Sequence, residues 1–133
     1  MALDVWIGKP GMNTGDLAIS FEPEAYYYFL YPVFEEFSKS SGKLIDPYCN
    51  VAFEPAQFPS VLELIDKSKV LVSAQPEEFE VYMGKNLGSA VDRKDEEIFH
   101  ILKREKYLKF LECLRLVVLN AEELGEPLVF FGD

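Results

Sequence analysis

The sequence predicts a single α+β domain over residues 1–133, with a small, mainly antiparallel sheet packed against two or three helices and a long C-terminal helix. Three observations lead to this prediction. Apolar and polar residues alternate in several short segments, which is the period of a strand. Apolar residues recur every three or four positions over 105–124, which is the period of a helix. No linker or repeat divides the 133 residues, a length typical of one domain.

The N-terminal segment predicts two paired strands. Residues 3–8 alternate and are rich in side chains that favour strands. The turn signal Lys9-Pro10-Gly11 follows. Residues 15–21 then place Leu17, Ile19 and Phe21 on one face, as a second strand would.

A first helix is predicted over residues 25–40, where apolar side chains cover a wide face. Pro23 suits the start of a helix, since its missing N–H is not needed there. Pro32 removes one intrahelical hydrogen bond, so we expect either a kink or two short helices. Gly42 is a suitable C-terminal cap.

The middle of the chain predicts short elements around a second helix. Short strands are expected at 44–45 and 51–53, and a helix over about 59–72. Residues 78–83 alternate as a strand does, and 84–92 has the glycines of a loop.

Residues 95–103 leave two alternatives open. They form either a helix that leads into the last one or a strand that makes a hairpin with 78–83, and we favour the strand. The final helix covers about 105–124 and ends at Gly125, with a short strand over 128–131 to complete the sheet.

The net charge of −10 narrows the classes of partner. Binding nucleic acid or an anionic membrane requires clustered lysine and arginine, so neither is expected. An acidic surface would attract a basic protein, although it also serves ordinary solubility. The two cysteines form no CxxC motif, and the N-terminus lacks the pattern of a signal peptide, so a cytoplasmic location is expected.

The residues that carry most enzyme chemistry are sparse. His100 is the single histidine, and no nucleophile motif accompanies it. The acids Asp92, Asp95, Glu96 and Glu97 lack the spacing of a calcium loop and are typical of a solvated charge run. The glycines match neither the P-loop nor the dinucleotide pattern. We therefore predict no catalytic, metal or cofactor site and favour a binding role over catalysis.

The most unusual segment is 21–58, which contains more than half of the aromatic residues. Four tyrosines lie within six positions of the first helix, and they cannot all face one core because consecutive helical residues are about 100° apart. Exposed tyrosine beside carboxylates is typical of protein-binding surfaces. The competing interpretation is a core helix whose hydroxyls reach solvent. The candidate binding residues are Glu24, Tyr27, Tyr28, Tyr31, Glu35, Asp46 and Tyr48.

Several segments resemble a group of small bacterial proteins of uncharacterised function. They are MALDVWIG, TGDLAISFEPEAYYYFLYPVFEEF, GKLIDPY, QPEEFEVYMG and the terminal GEPLVFFGD. The resemblance runs over nearly the full length but implies no site residues. In size and acidity the chain is also similar to immunity proteins of bacterial toxin systems.

Three functional hypotheses follow. The favoured one is a cytoplasmic protein-binding module, including the case of an immunity-type inhibitor of a basic toxin domain. The second is a small hydrolase that uses carboxylate and tyrosine residues such as Asp46 and Tyr48 with His100. The third is a homo-oligomeric module whose exposed aromatics bury against a second copy.

Overall fold

A computed structural model describes residues 3–8, 16–86 and 96–132 and confirms the α+β fold. The turn predicted at Lys9-Pro10-Gly11 and the acids Asp92 and Asp95 lie outside the described residues. The elements in chain order are β1 Leu3–Ile7, β2 Asp16–Ser20, α1 Ala25–Ser41, β3 Asn50–Phe53, a short 3-10 turn Pro55–Gln57, α2 Phe58–Ser73, β4 Glu78–Asn86, β5 Glu96–Lys103, α3 Arg104–Leu124 and β6 Leu128–Gly132.

The strands form two antiparallel sheets instead of the one that the sequence predicted. The first sheet has the order β2-β1-β6-β3, so the first and last strands of the described chain lie at its centre. The second sheet is the hairpin β4–β5. The strand β4 of this hairpin packs on α1, where the ring centroids of Phe79 and Phe29 lie 5.0 Å apart.

The hydrophobic core lies between the three helices and one face of the four-stranded sheet. Alternate residues of β1 point into it, and Val5 is fully buried. The helices α2 and α3 pack side by side, with the ion pair Arg115–Asp66 at 2.9 Å across them. The largest fully buried side chains are those of Tyr107, Phe53, Phe58, Phe130, Leu30, Ile45, Ile65 and Leu111.

Three local predictions are corrected. The helix α1 is continuous through Pro32, so the alternative of two short helices is wrong; the buried side chains of Val33 and Phe34 directly after the proline hold the helix together by tertiary packing. Residues 44–45 form no strand: Ile45 is buried ahead of the turn at 47–48, and its carbonyl accepts a hydrogen bond from the Tyr27 hydroxyl. The predicted loop at 84–92 begins later, since β4 continues to Asn86.

The ambiguous segment is a strand. β5 pairs with β4 in the expected hairpin, with Val81 opposite His100 and Tyr82 opposite Phe99. The register shifts between Tyr82 and Gly84, which is the irregularity that a glycine in a strand accommodates. None of the helices in the described parts of the chain combines the length and apolar character that crossing a bilayer requires.

Candidate functional site

One side of α1 carries two tyrosines flanked by two acids. At about 100° per residue, positions 24, 28, 31 and 35 fall within an arc of about 60° on the helix surface. Glu35 and Tyr31 are exposed, the latter by 40%, whereas Glu24 and Tyr28 are half-buried. The four predicted binding residues Glu24, Tyr28, Tyr31 and Glu35 therefore form one continuous strip of surface.

The turn before β3 adds the remaining predicted residues. The Oδ1 atom of Asp46 accepts a hydrogen bond from the backbone N–H of Tyr48 at 2.8 Å, and its carbonyl accepts one from Cys49 at 3.2 Å. These two bonds close a tight turn of the kind that aspartate favours. The turn holds Tyr48 outward with 71% of its surface exposed.

Tyr27 joins the helix to this turn from below. It is 4% exposed, and its hydroxyl donates a hydrogen bond to the carbonyl oxygen of Ile45 at 2.8 Å. Its ring contacts those of Tyr28 and Tyr31 edge-on, at centroid distances of 5.8 and 6.1 Å. Tyr27 was predicted as a binding residue, but its burial gives it a supporting position under the exposed tyrosines.

A glycine at the end of β6 lets the sheet approach the same turn. A Cβ atom on Gly132 would lie 2.3 Å from the carbonyl oxygen of Pro47, which is far inside contact distance. The N–H of Gly132 also donates to the carbonyl of Cys49 and to the Oδ1 atom of Asn50, at 3.2 and 3.1 Å. The turn is thus fixed from two sides, by α1 and by β6.

The surroundings of Tyr28 and Tyr27 raise the pKa values of both side chains. Burial raises the pKa of Tyr28, and the nearby Tyr48 and Glu24 raise it further. Burial also raises the pKa of Tyr27, with Asp46 adding to the effect. A small cavity lined by Glu24, Tyr28 and Pro47 lies where the start of α1 meets the turn, so the helix stripe and the turn form one surface. We call it the tyrosine surface and define it as Glu24, Tyr28, Tyr31, Glu35, Asp46 and Tyr48.

The hydrolase hypothesis required Asp46, Tyr48 and His100 to converge. His100 instead lies exposed on β5 of the hairpin, opposite Val81. Among the described residues, His100 forms no hydrogen bond or ion pair with Asp46 or Tyr48. The carboxylate of Asp46 instead closes the turn. This arrangement is therefore not assembled. The ranges that the structure describes also contain no cluster of three residues able to hold a metal ion.

Sequence reasoning missed a groove between α1 and α2. It has a volume of about 320 Å³ and a floor formed by Val33, Phe37 and Leu64. Its walls are polar, and Glu63 and Lys67 form an ion pair of 3.5 Å across one turn of α2. Only the packing of the two helices creates this groove, so no local pattern in the sequence could have indicated it.

Comparison of the chain with known protein families, curated proteins and solved structures finds no match. The functional assignment therefore depends on the geometry of the tyrosine surface alone.

Proposed function

We propose that this protein binds a basic protein partner through the tyrosine surface. The observation that carries the proposal is the exposure of Tyr31 and Tyr48 beside the carboxylates of Glu24, Glu35 and Asp46. Tyrosine offers a large ring with few rotatable bonds and a polar tip, which makes it an effective anchor in protein interfaces.

The rigid support of the surface strengthens the proposal. Tyr48 stands on a turn held by the Asp46 carboxylate, the Tyr27 hydroxyl and the close approach of Gly132. A turn that is already ordered loses little conformational entropy on binding, so more of the contact energy appears as affinity.

The charge of the surface indicates the chemistry of the partner. Two lysines lie close to the surface in sequence. Lys39 is exposed on α1, four positions after Glu35. Lys43, on the following loop, directs its Nζ atom to the carbonyl of Ala52 and the Oε1 atom of Gln57, and lies over the ring of Phe53. The positive charge of Lys43 therefore contacts β3 and the 3-10 turn that follows it. With a net charge of −10 on the whole chain, long-range attraction accelerates encounter with a basic partner.

An immunity-type inhibitor of a basic toxin domain is the specific form of this function that we propose. Carboxylates on a fixed surface can occupy a basic site that otherwise binds phosphate, and the tyrosines add apolar contact area. A cytoplasmic location belongs to the same proposal.

The test uses the product of the neighbouring gene in the native genome as the first probe. Purified protein and probe are mixed in a titration calorimeter at several salt concentrations. We expect affinity of micromolar or better in moderate salt, which falls as salt rises. Absence of binding, both here and in co-purification from the native host, would overturn the proposal.

Matched variants locate the interface. Tyr48→Ala should weaken binding by about tenfold or more, as loss of an interface tyrosine does, whereas Tyr82→Ala, which truncates an exposed tyrosine of the hairpin, should not. Glu24→Gln/Glu35→Gln should slow association, while Glu122→Gln/Glu123→Gln, on the last turn of α3, removes the same charge and leaves the rate nearly unchanged. Equal effects from both pairs would show that only net charge matters.

A further inference from the structure

The strand β5 is unusually exposed for an apolar segment. Four consecutive residues are open to solvent: Ile98 by 44%, Phe99 by 51%, the exposed His100, and Ile101 by 59%. Successive side chains of a strand point to opposite faces, so both faces of β5 are uncovered here. In most surface strands, one of the two faces packs against the rest of the protein.

The edge of β5 is also open. In the described part of the chain the second sheet contains only β4 and β5, so the outer edge of each pairs with no other strand. Exposed edges are usually protected by charged residues. β4 has exposed Glu78 and Glu80, whereas β5 has no acid, lysine or arginine from Ile98 to Leu102. The β5 edge is the unprotected one.

The order of charged residues in the sequence of β5 favours a second copy of the chain as the partner of this strand. The strand begins with Glu96 and Glu97 and ends with Lys103, which is followed by Arg104. A strand that is acidic at one end and basic at the other is complementary to its own sequence when the second copy runs antiparallel. A basic peptide would meet like charge at the Lys103 end.

We propose that β5 pairs antiparallel with β5 of a second copy of this chain, about a twofold axis at His100. In this register position 97 lies opposite 103, 98 opposite 102, and 99 opposite 101. Glutamate then faces lysine, isoleucine faces leucine, and phenylalanine faces isoleucine, each pair occurring twice. The two hairpins become one four-stranded sheet with the order β4-β5-β5-β4.

The geometry favours a closed dimer. A twofold contact uses the same patch on both copies and leaves no further β5 edge to extend into a filament. The outer edges of the new sheet are the two β4 strands. Their exposed residues Glu78 and Glu80 would repel the β4 edge of another dimer. Within one copy the hairpin has two strands and is supported on one side by α1, and the second copy would extend it to four strands. The interface contains no residue of the tyrosine surface.

The test measures mass by sedimentation equilibrium of the full chain from micromolar to millimolar concentration. We expect a monomer–dimer equilibrium. Ile101→Lys should weaken dimerisation by about tenfold or more, since it places a cation opposite Phe99. The control Leu116→Lys changes an exposed leucine of α3 and should leave the equilibrium unchanged. A monomer throughout the range, or a dimer that Ile101→Lys leaves intact, would overturn the proposal.

A charge exchange tests the register. Glu97→Lys and Lys103→Glu should each weaken the dimer, because each places like charges opposite one another across the twofold axis. Positions 97 and 103 also lie opposite Lys85 and Glu78 within the hairpin, so the thermal unfolding of every variant is measured beside its dimerisation. The double variant Glu97→Lys/Lys103→Glu restores opposite charges at both positions, so its dimer should recover. Failure of the double variant to recover, when its thermal unfolding matches that of the wild type, would exclude the His100-centred register.

Discussion

The hydroxyl of Tyr27 donates a hydrogen bond to the carbonyl oxygen of Ile45 at 2.8 Å, across eighteen positions of the chain. Both residues are buried, with Ile45 fully so. The bond joins the first turns of α1 to the turn that presents Tyr48. It therefore couples the stability of the fold to the order of the tyrosine surface.

Replacing Tyr27 by phenylalanine should reveal this coupling. The change leaves the buried Ile45 carbonyl without its donor, which costs about 1–3 kcal/mol. Urea unfolding followed by the fluorescence of Trp6, the single tryptophan, measures the loss. Tyr31→Phe is the control, since the hydroxyl of Tyr31 makes no hydrogen bond to the described residues, and its effect should stay within about 0.5 kcal/mol. Equal stability of both variants would contradict the structural role of the Tyr27 hydroxyl.

Gly132→Ala should disturb the same turn by steric overlap. The added methyl group meets the Pro47 carbonyl oxygen at 2.3 Å, so the turn or the end of β6 must shift, at a cost of about 1–3 kcal/mol. Gly42→Ala provides the comparison. Its Cβ has open space, but its φ of +73° is strained for alanine, which costs about 1–2 kcal/mol.

Hydrogen exchange distinguishes the two glycine variants. Gly132→Ala should accelerate exchange of the Tyr48 and Cys49 amides, which donate within the turn. Gly42→Ala should lower the stability of the whole domain while the turn remains ordered in the folded state. A turn unchanged in Gly132→Ala would show that β6 does not support it.

Alkaline pH should destabilise the protein through its buried tyrosines. Burial raises the pKa of Tyr27 and of Tyr107 above the ordinary value, so the folded state keeps a proton that the unfolded state releases. The stabilisation is complete below pH ~10, the ordinary tyrosine pKa, and declines as pH rises, by about 1.4 kcal/mol per pH unit for each such tyrosine. Urea midpoints at a series of alkaline pH values measure the slope.

The Tyr27→Phe variant is the control for this pH dependence. It starts from a lower stability but should lose stability less steeply above pH ~10, because one releasable proton is gone. A slope identical to that of the wild type would mean that Tyr27 ionises equally in both states.

The packing of α2 against α3 should depend on apolar contacts far more than on charge. Leu111 is 1% exposed, and Leu111→Ala should cost about 2–5 kcal/mol. The ion pair Arg115–Asp66 lies at the surface, so Asp66→Asn should cost no more than about 1 kcal/mol. Thermal unfolding at low and high salt checks both values. A larger loss of stability in Asp66→Asn than in Leu111→Ala would contradict this ranking.

Most of the secondary structure was predictable because its signals are local. Apolar periodicity located α3, and alternation located β4 and β5. Pro32 does not divide α1 into two short helices, since buried side chains on both sides of it keep the helix continuous. The division into two sheets was not predictable, because the pairing of β6 with both β1 and β3 depends on contacts far apart in sequence.

The residues of the candidate site were predictable from the sequence, but the burial of each side chain was not. The predicted binding residues include two groups that the structure separates: Glu24, Tyr28, Tyr31 and Glu35 lie on one side of α1, and Asp46 and Tyr48 lie on the turn before β3. The sequence could not show which tyrosine is buried. That choice depends on the Ile45 carbonyl, eighteen positions away, which gives the Tyr27 hydroxyl a partner inside the fold.

The central position of β6 affects how the chain folds as it leaves the ribosome. β3 pairs only with β6 among the described strands, and β1 needs β6 on its second edge. Both must wait while the three helices and the hairpin are synthesised, with their edges unpaired. A ribosome-bound chain that stops before Leu128 should therefore hold the β1–β2 ribbon and helical segments without the finished sheet. The strand β6 follows every other described strand in the chain, so the four-stranded sheet is completed only once β6 is available.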